Sequence, residues 1–225
     1  MAKASPKRGK AATAGDADGL SGWQKRALDR SLVEARRRAL DKSNGFVQAA
    51  MELLDQTGEL NFTVQDVVDR SKLSLRSFYQ TFASKDDLLL ALFEECITAT
   101  AAWQRDKMEK QDDPVEQIRV FVTNHWAPKL SDEVVRALAL YSMTLSSTRP
   151  DDFARAMEPE VVLVQEAIEG GIASGQVRDD IGSRRLAEIL LHTATAAVRG
   201  NILHTGSEGP EDMWAFCLGG IRGSR

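Results

Sequence analysis

The sequence predicts an all-α chain, and three observations carry that prediction. Apolar residues recur at 3.6-residue spacing through most of its length. Helix-capping residues stand at the starts of those runs. Nowhere is there a sustained period-2 alternation of β-branched residues, so strands are not expected.

Residues 1–22 hold Ala, Gly, Ser, Pro and Lys with a single large apolar side chain, Leu20. Such a segment buries too little surface to offset its ordering entropy and is expected to be a flexible basic tail. Trp23 to Lys42 is charged and helix-favouring, with Arg36, Arg37 and Arg38 in a row. A first core helix follows through Phe46, Val47, Ala50, Met51, Leu53 and Leu54, and Gly58 is its stop. Thr63 caps a short second helix with Val64, Val67 and Val68 on its apolar face. Ser71 to Ser74 makes a turn, and Ser74 caps a third helix running to about Thr81. Ser84-Lys85-Asp86-Asp87 is close to a capping box and opens a fourth helix through Leu88, Leu92, Phe93 and Ile97.

Asp113-Pro114 is a cap followed by proline at the first helical position, opening a helix to about Ala127. Ser131 opens another through Val134, Leu138 and Leu145, which Pro150 is expected to end. Further helices are expected from Pro159 to Gly175, from Ser183 to about His204, and from about Pro210 to Ile221.

Composition excludes several classes. Of the 225 residues 43% are hydrophobic, which supports a packed core. No apolar run reaches the roughly 20 residues of a membrane span, and the N-terminus lacks the apolar stretch of a secretion signal. Cys96 and Cys217 match no zinc spacing and suit buried thiols in a reducing cytoplasm. The histidines His125, His192 and His204 offer no metal spacing, and there is no phosphate loop or nucleophile elbow. Neither a cofactor nor a metal nor an enzymatic activity is therefore expected. The net charge of −4 divides into +3 over residues 1–87 and −7 over residues 88–225. A basic head on an acidic body suits one nucleic-acid-facing domain and one that faces away.

The informative stretch is FTVQDVVDRSKLSLRSFYQTFASKDDLL, residues 62–89. Two short helices joined by a tight turn fit a helix-turn-helix, in which the first braces the second in the major groove. Wound at 3.6 residues per turn, the third helix places Leu75, Phe78 and Phe82 on one face, with Tyr79 at its border. Arg76, Ser77, Gln80 and Thr81 fall on the other. That outer face is short, polar and free of acids, which suits base edges and phosphates.

This segment resembles the DNA-binding domain of the tetracycline-repressor (TetR) family. Thr63, Ser74, the pair Phe78-Tyr79, Phe82 and the pair Ser84-Lys85 fall on that family's pattern, over residues from about 43 to 92. Two positions depart from it: Lys72 stands in a turn where the family often has glycine, and Val68 where alanine is common. The resemblance implies phosphate contacts from Thr63, Tyr79 and Lys85, and groove contacts from Ser74, Arg76, Ser77 and Gln80. The chemistry agrees for two of them. Lys85 lies at a helix N-terminus that already attracts phosphate, and arginine pairs bidentately with guanine.

The resemblance also implies a homodimer. Stripes of Val161, Val164, Ile168 and Ile172, and of Ala187, Leu190, Leu191, Ala194 and Val198, are the expected interface. Trp103, Phe121, His125, Trp126, Tyr141, Met143 and Phe153 are the expected lining of a pocket for a small apolar effector. The expected organisation is thus a tail at 1–22, a DNA-binding domain at 23–90 and a ligand-binding and dimerisation domain at 91–225. The function expected is that of a cytoplasmic transcriptional regulator on a palindromic operator of double-stranded DNA. A ligand-independent architectural DNA-binding protein and an all-α enzyme are the alternatives; the acidic body argues against the first and the absent motifs against the second.

Overall fold

In the computed structural model, which describes residues 20–125, 130–202 and 209–222, every regular element is a helix. Helix α1 (Gly22–Thr57) runs uninterrupted through the charged stretch and the first apolar run, which the sequence read as two segments. Gly45 is the residue that would separate them, but one glycine inside a helix costs only about 1 kcal/mol. The chain to Asn44 forms one compact unit, and Gly45 onward forms another. In the first, the helix exposes Trp23, Leu32 and Val33, and an exposed Arg38–Glu34 pair spans one turn.

In the second unit, Gly58 ends α1 with φ 67°, and an added Cβ there would lie 2.7 Å from the Glu133 Cβ. Helices α2 (Val64–Ser71) and α3 (Leu75–Thr81) follow, then α4 (Lys85–Met108), α5 (Pro114–Asn124) and α6 (Asp132–Thr148). The caps stand where the sequence places them. Thr63, Ser74, Ser84, Asp113 and Ser131 each accept a backbone N–H of the first turn. Helices α7 (Pro150–Ala173), α8 (Ser183–Ile202) and α9 (Pro210–Arg222) complete the described residues.

Two expectations are corrected here. Pro150 does not simply end α6; it is the first residue of α7, which continues through Pro159. A mid-helix proline removes one backbone hydrogen bond and costs about 3 kcal/mol. The burial of Ala156, Met157 and Val161 around it holds the helix together.

The second correction concerns the dimer stripes. Val161, Val164, Ile168, Ala187, Leu190, Leu191 and Ala194 are all buried within the single chain. Ile172 and Val198 are half-buried. Helix α7 packs against α8 and against α4, α5 and α6 of the same chain. A 3.6-residue stripe identifies a buried face but not the molecule that buries it. The large apolar side chains that α7, α8 and α9 do expose are Val162, Ile189 and Phe216.

Two apolar clusters organise the second unit. One joins Phe46, Leu54, Phe62, Val67, Phe78, Phe82, Leu88 and Leu92 with Val134 and Ala137 of α6. The other joins α4, α5, α7, α8 and α9 around Phe121, Ile118, Val164, Ile168 and Leu191. Leu138 and Tyr141 of α6 pack against both. No helix among the described residues is long and apolar enough to cross a membrane.

Candidate nucleic-acid interface and internal cavity

Two hydroxyl caps hold the α2–α3 corner. The Thr63 Oγ1 accepts the Asp66 amide at 3.1 Å, and the Asp66 carboxylate accepts the Thr63 amide at 2.7 Å. The Thr63 amide, and after it the Thr63 hydroxyl donating to the same carboxylate at 2.7 Å, lower the Asp66 pKa. The turn then closes through Lys72 in the left-handed region, φ 58° and ψ 21°. A non-glycine residue there costs about 1 kcal/mol. Ser74 caps α3 by accepting the Ser77 amide at 3.1 Å, and its hydroxyl and that of Ser77 are 3.0 Å apart.

The inner face of α3 is aromatic. Phe78 is fully buried, edge-on to Phe46 at 5.4 Å and tilted against Phe82 at 5.7 Å. Leu75 departs from expectation, being 45% exposed, because Leu73 of the turn packs against the cluster instead. Outward stand Arg76, Gln80 and Tyr79, the last with its ring nearly perpendicular to that of Phe78 at 5.3 Å. Neither Arg76 nor Gln80 makes a side-chain hydrogen bond or ion pair among the described residues. At i and i+4 they share one face. Ser77 is half-buried beside them.

Lys85 is more engaged than the sequence implied. Its Nζ donates to the Leu60 carbonyl at 2.8 Å and lies 5.0 Å from the Phe62 ring centre. Burial lowers its pKa, against the pull of Asp86 and Asp66. One ammonium hydrogen thus fastens the loop before α2 to the start of α4, leaving two donors. In the same first turn, Asp87 accepts from Arg149 at 3.1 Å, tying α4 to the α6–α7 junction.

Farther along α4 lies a half-open pocket of about 320 Å³. Its walls are Phe93, Cys96, Ile97 and Thr100 of α4, His125 after α5, Leu138 and Ser142 of α6, Phe153, Met157 and Glu160 of α7, and Thr195, Val198 and Arg199 of α8. Of the expected ligand residues, His125 and Phe153 line it. Phe121 lies beneath His125, their rings edge-on at 4.8 Å. Tyr141 packs on Phe93 at 5.8 Å and faces an open groove with Gly58 and Glu133. Trp103 is half-buried and does not line the cavity; Met143 is exposed on the outside of α6, so both leave the pocket assignment. Trp126 lies outside the described residues. Val198, expected at a dimer seam, is part of the wall.

The sequence reading missed Glu160, Thr100, Thr195 and Arg199. A carboxylate at i+4 from Ala156 and i−4 from Val164, inside an apolar stripe, was the available signal. Glu160 is 3% exposed, makes no ion pair or hydrogen bond among the described residues, and burial raises its pKa to about 7. The His125 Nδ1 lies 2.9 Å from the Phe121 carbonyl. Gln104 Nε2 lies 3.3 Å from the same nitrogen; the carbonyl accepts and the amide donates, so the two contacts call for opposite tautomers and give opposite roles to the ring Nε2. That Nε2 is buried without a partner, as is Oε1 of the adjacent Gln104. Burial also lowers the His125 pKa, which keeps the ring neutral. Among the described residues no cluster of His, Cys, Asp or Glu could hold a metal.

Residues 46–92 match the model of the bacterial regulatory proteins, tetR family. No curated protein sequence matches the chain. Among solved structures, the chain is similar to the reduced form of NemR from E. coli, with 16% identity, a TM-score of 0.61, and coverage of 82% of this chain and 98% of that one. It is also similar to a TetR transcription regulator of Haloarcula marismortui, at 19% identity and TM-score 0.61, covering 79% and 94%. A third is FadR of Thermus thermophilus, a TetR-family repressor in complex with lauroyl-CoA, at 18% identity and TM-score 0.62, covering 78% and 91%. These likenesses establish the fold over most of the chain, and the match at residues 46–92 falls on the helix-turn-helix built above. The family match is confined to residues 46–92, which hold the end of α1, the α2–α3 corner and the start of α4.

Proposed function

We propose that this protein is a homodimeric repressor that binds a palindromic operator through α3 and is released from it by a small, largely apolar ligand. The observation that carries the reading is the outer face of α3. Arg76 and Gln80 stand there exposed and unengaged, on a helix whose opposite face is locked by Phe78 and Phe82. Arg76 reads a guanine edge; Gln80, Ser74 and Ser77 complete the groove contacts. Thr63, Tyr79 and the two free donors of Lys85 hold phosphates, which set register without carrying sequence. In this reading residues 23–90 bind DNA and 91–225 bind ligand and partner, in the cytoplasm. The basic tail at 1–22, outside the described residues except at its end, adds phosphate contacts.

Release follows from the course of α4. The helix begins at Lys85 and Asp87, tied to Leu60 and Arg149, and passes Phe93, Ile97 and Thr100 in the cavity wall. A ligand that fills the cavity better when α4 is tilted favours a dimer whose reading heads no longer match the operator spacing. It must bind that state more tightly, since equal affinity shifts nothing. Thermus thermophilus FadR was solved with lauroyl-CoA, which supports ligand control on this fold.

The test is selection of bound sequences from random DNA, followed by titration at fixed salt. Arg76→Ala is expected to weaken the selected site by about 1–3 kcal/mol and relax one base per half-site. Unchanged affinity would remove Arg76 from the groove. The interface is expected among the exposed residues Val162, Ile189 and Phe216. Light scattering of the DNA-free protein should give a dimer mass, and Ile189→Asp with Phe216→Asp a monomer, because an unpaired charge in an apolar seam is costly. A monomer mass for the wild type at micromolar concentration refutes the dimer.

A further inference from the structure

The pocket is apolar on most of its wall, yet a buried carboxyl stands in it without a partner among the described residues. Glu160 presents a carboxyl that is 3% exposed and has no hydrogen-bonding or charged partner among the described residues. His125 lines the same wall, but its Nε2 has no exposed surface for a ligand to reach. Unsatisfied buried acceptors are rare in folded proteins and expensive, and an unpaired buried carboxylate more so. The carboxylate needs hydrogen-bond donors and positive charge.

We propose that the effector is an apolar molecule with a cationic amine head, bound with Glu160 as its counter-ion. This rests on the reading of the cavity as the effector site. The apolar body packs on Phe93, Ile97, Phe153 and Met157. An ammonium is the donor that neutralises a carboxylate and satisfies acceptors at the same time. Arg199 lines the same wall from α8 and would favour an anionic head instead, so the test must separate the two.

Three probes of matched shape do so: 4-phenylbutylamine, 4-phenylbutan-1-ol and 4-phenylbutanoic acid, titrated calorimetrically into the full-length protein. The amine is expected to bind at least tenfold more tightly than the alcohol, and the acid more weakly than either. Glu160→Gln should abolish the preference for the amine and leave the alcohol within about threefold. The wild type also carries a pH signature. Glu160 ionises near pH 7, so affinity for the amine, still protonated throughout, should rise about tenfold from pH 6 to pH 8. The alcohol should show no such rise. The other titratable or charged groups on the wall are Cys96, His125, His192 and Arg199. Cys96 is pushed up to about 12 and His125 down, so neither gains charge in this window. His192→Gln should keep the rise. The alcohol or acid binding as tightly as the amine, or an amine preference that survives Glu160→Gln, overturns the proposal while leaving the pocket in place. If none of the three binds, the cavity is not the effector site, and both readings fall.

Discussion

Phe78→Ala is expected to destabilise the protein by about 3–5 kcal/mol, the range for a fully buried ring in a core that cannot collapse around the loss. Phe78 is completely buried where α1, α3 and the following turn meet, against Phe46 at 5.4 Å and Phe82 at 5.7 Å. The effect should exceed simple loss of packing at the reading head. Helix α3 has only seven residues, too short to persist without tertiary contacts. Its outward side chains are therefore positioned only while Phe78 is seated. Thermal unfolding should shift by about 6–20 °C, and operator affinity should fall further than for Arg76→Ala. Tyr79→Ala is the control, because that side chain is 57% exposed and its removal should cost stability little. A Phe78→Ala protein with wild-type melting would mean that the ring is not the keystone of this corner.

The reading head was legible in the sequence because its determinants are local. A hydroxyl cap acts on an amide three residues on, as Thr63 does on Asp66 and Ser74 on Ser77, so spacing alone reveals it. The inner face of α3 was legible for the same reason, except Leu75, whose place is taken by Leu73 through a turn geometry that no periodicity encodes. The long-range questions were not legible. The stripes on α7 and α8 look alike whether they meet each other or a second chain, and they meet each other. Pro159 was read as a helix start because proline favours the first turn, whereas packing on both sides carries α7 across it. The spacing places Lys85 at a helix N-terminus suited to phosphate, and only the folded loop brings the Leu60 carbonyl to it. Aromatic content predicted a pocket but not its wall, since Phe121 and Tyr141 fill the clusters around it while Glu160 lines it.

Glu160→Gln is expected to stabilise the ligand-free protein at neutral and alkaline pH, by up to about 3 kcal/mol at pH 8. The carboxyl titrates near 4.5 when exposed and at about 7 in the fold, with burial as the cause. The sign follows from which form the fold favours. The neutral acid is compatible with the cavity wall, so stability is fullest below pH 4.5. It is lost as pH rises from 4.5 through 7, where the folded state must hold a carboxylate that the unfolded chain would give to water. Glutamine keeps the shape and never ionises, so the gap between variant and wild type should be near zero at pH 4.5 and widen to its full size by pH 8. Chemical denaturation at the two pH values measures it, and taking the difference cancels groups that titrate alike in both proteins. A gap independent of pH would show that Glu160 stays solvated in the fold. A chain that carries this cost in its ligand-free state has a built-in gain on binding, because a cation in the cavity removes the penalty. The same substitution that stabilises the free protein should therefore weaken its response to the amine, and the two effects should grow together with pH.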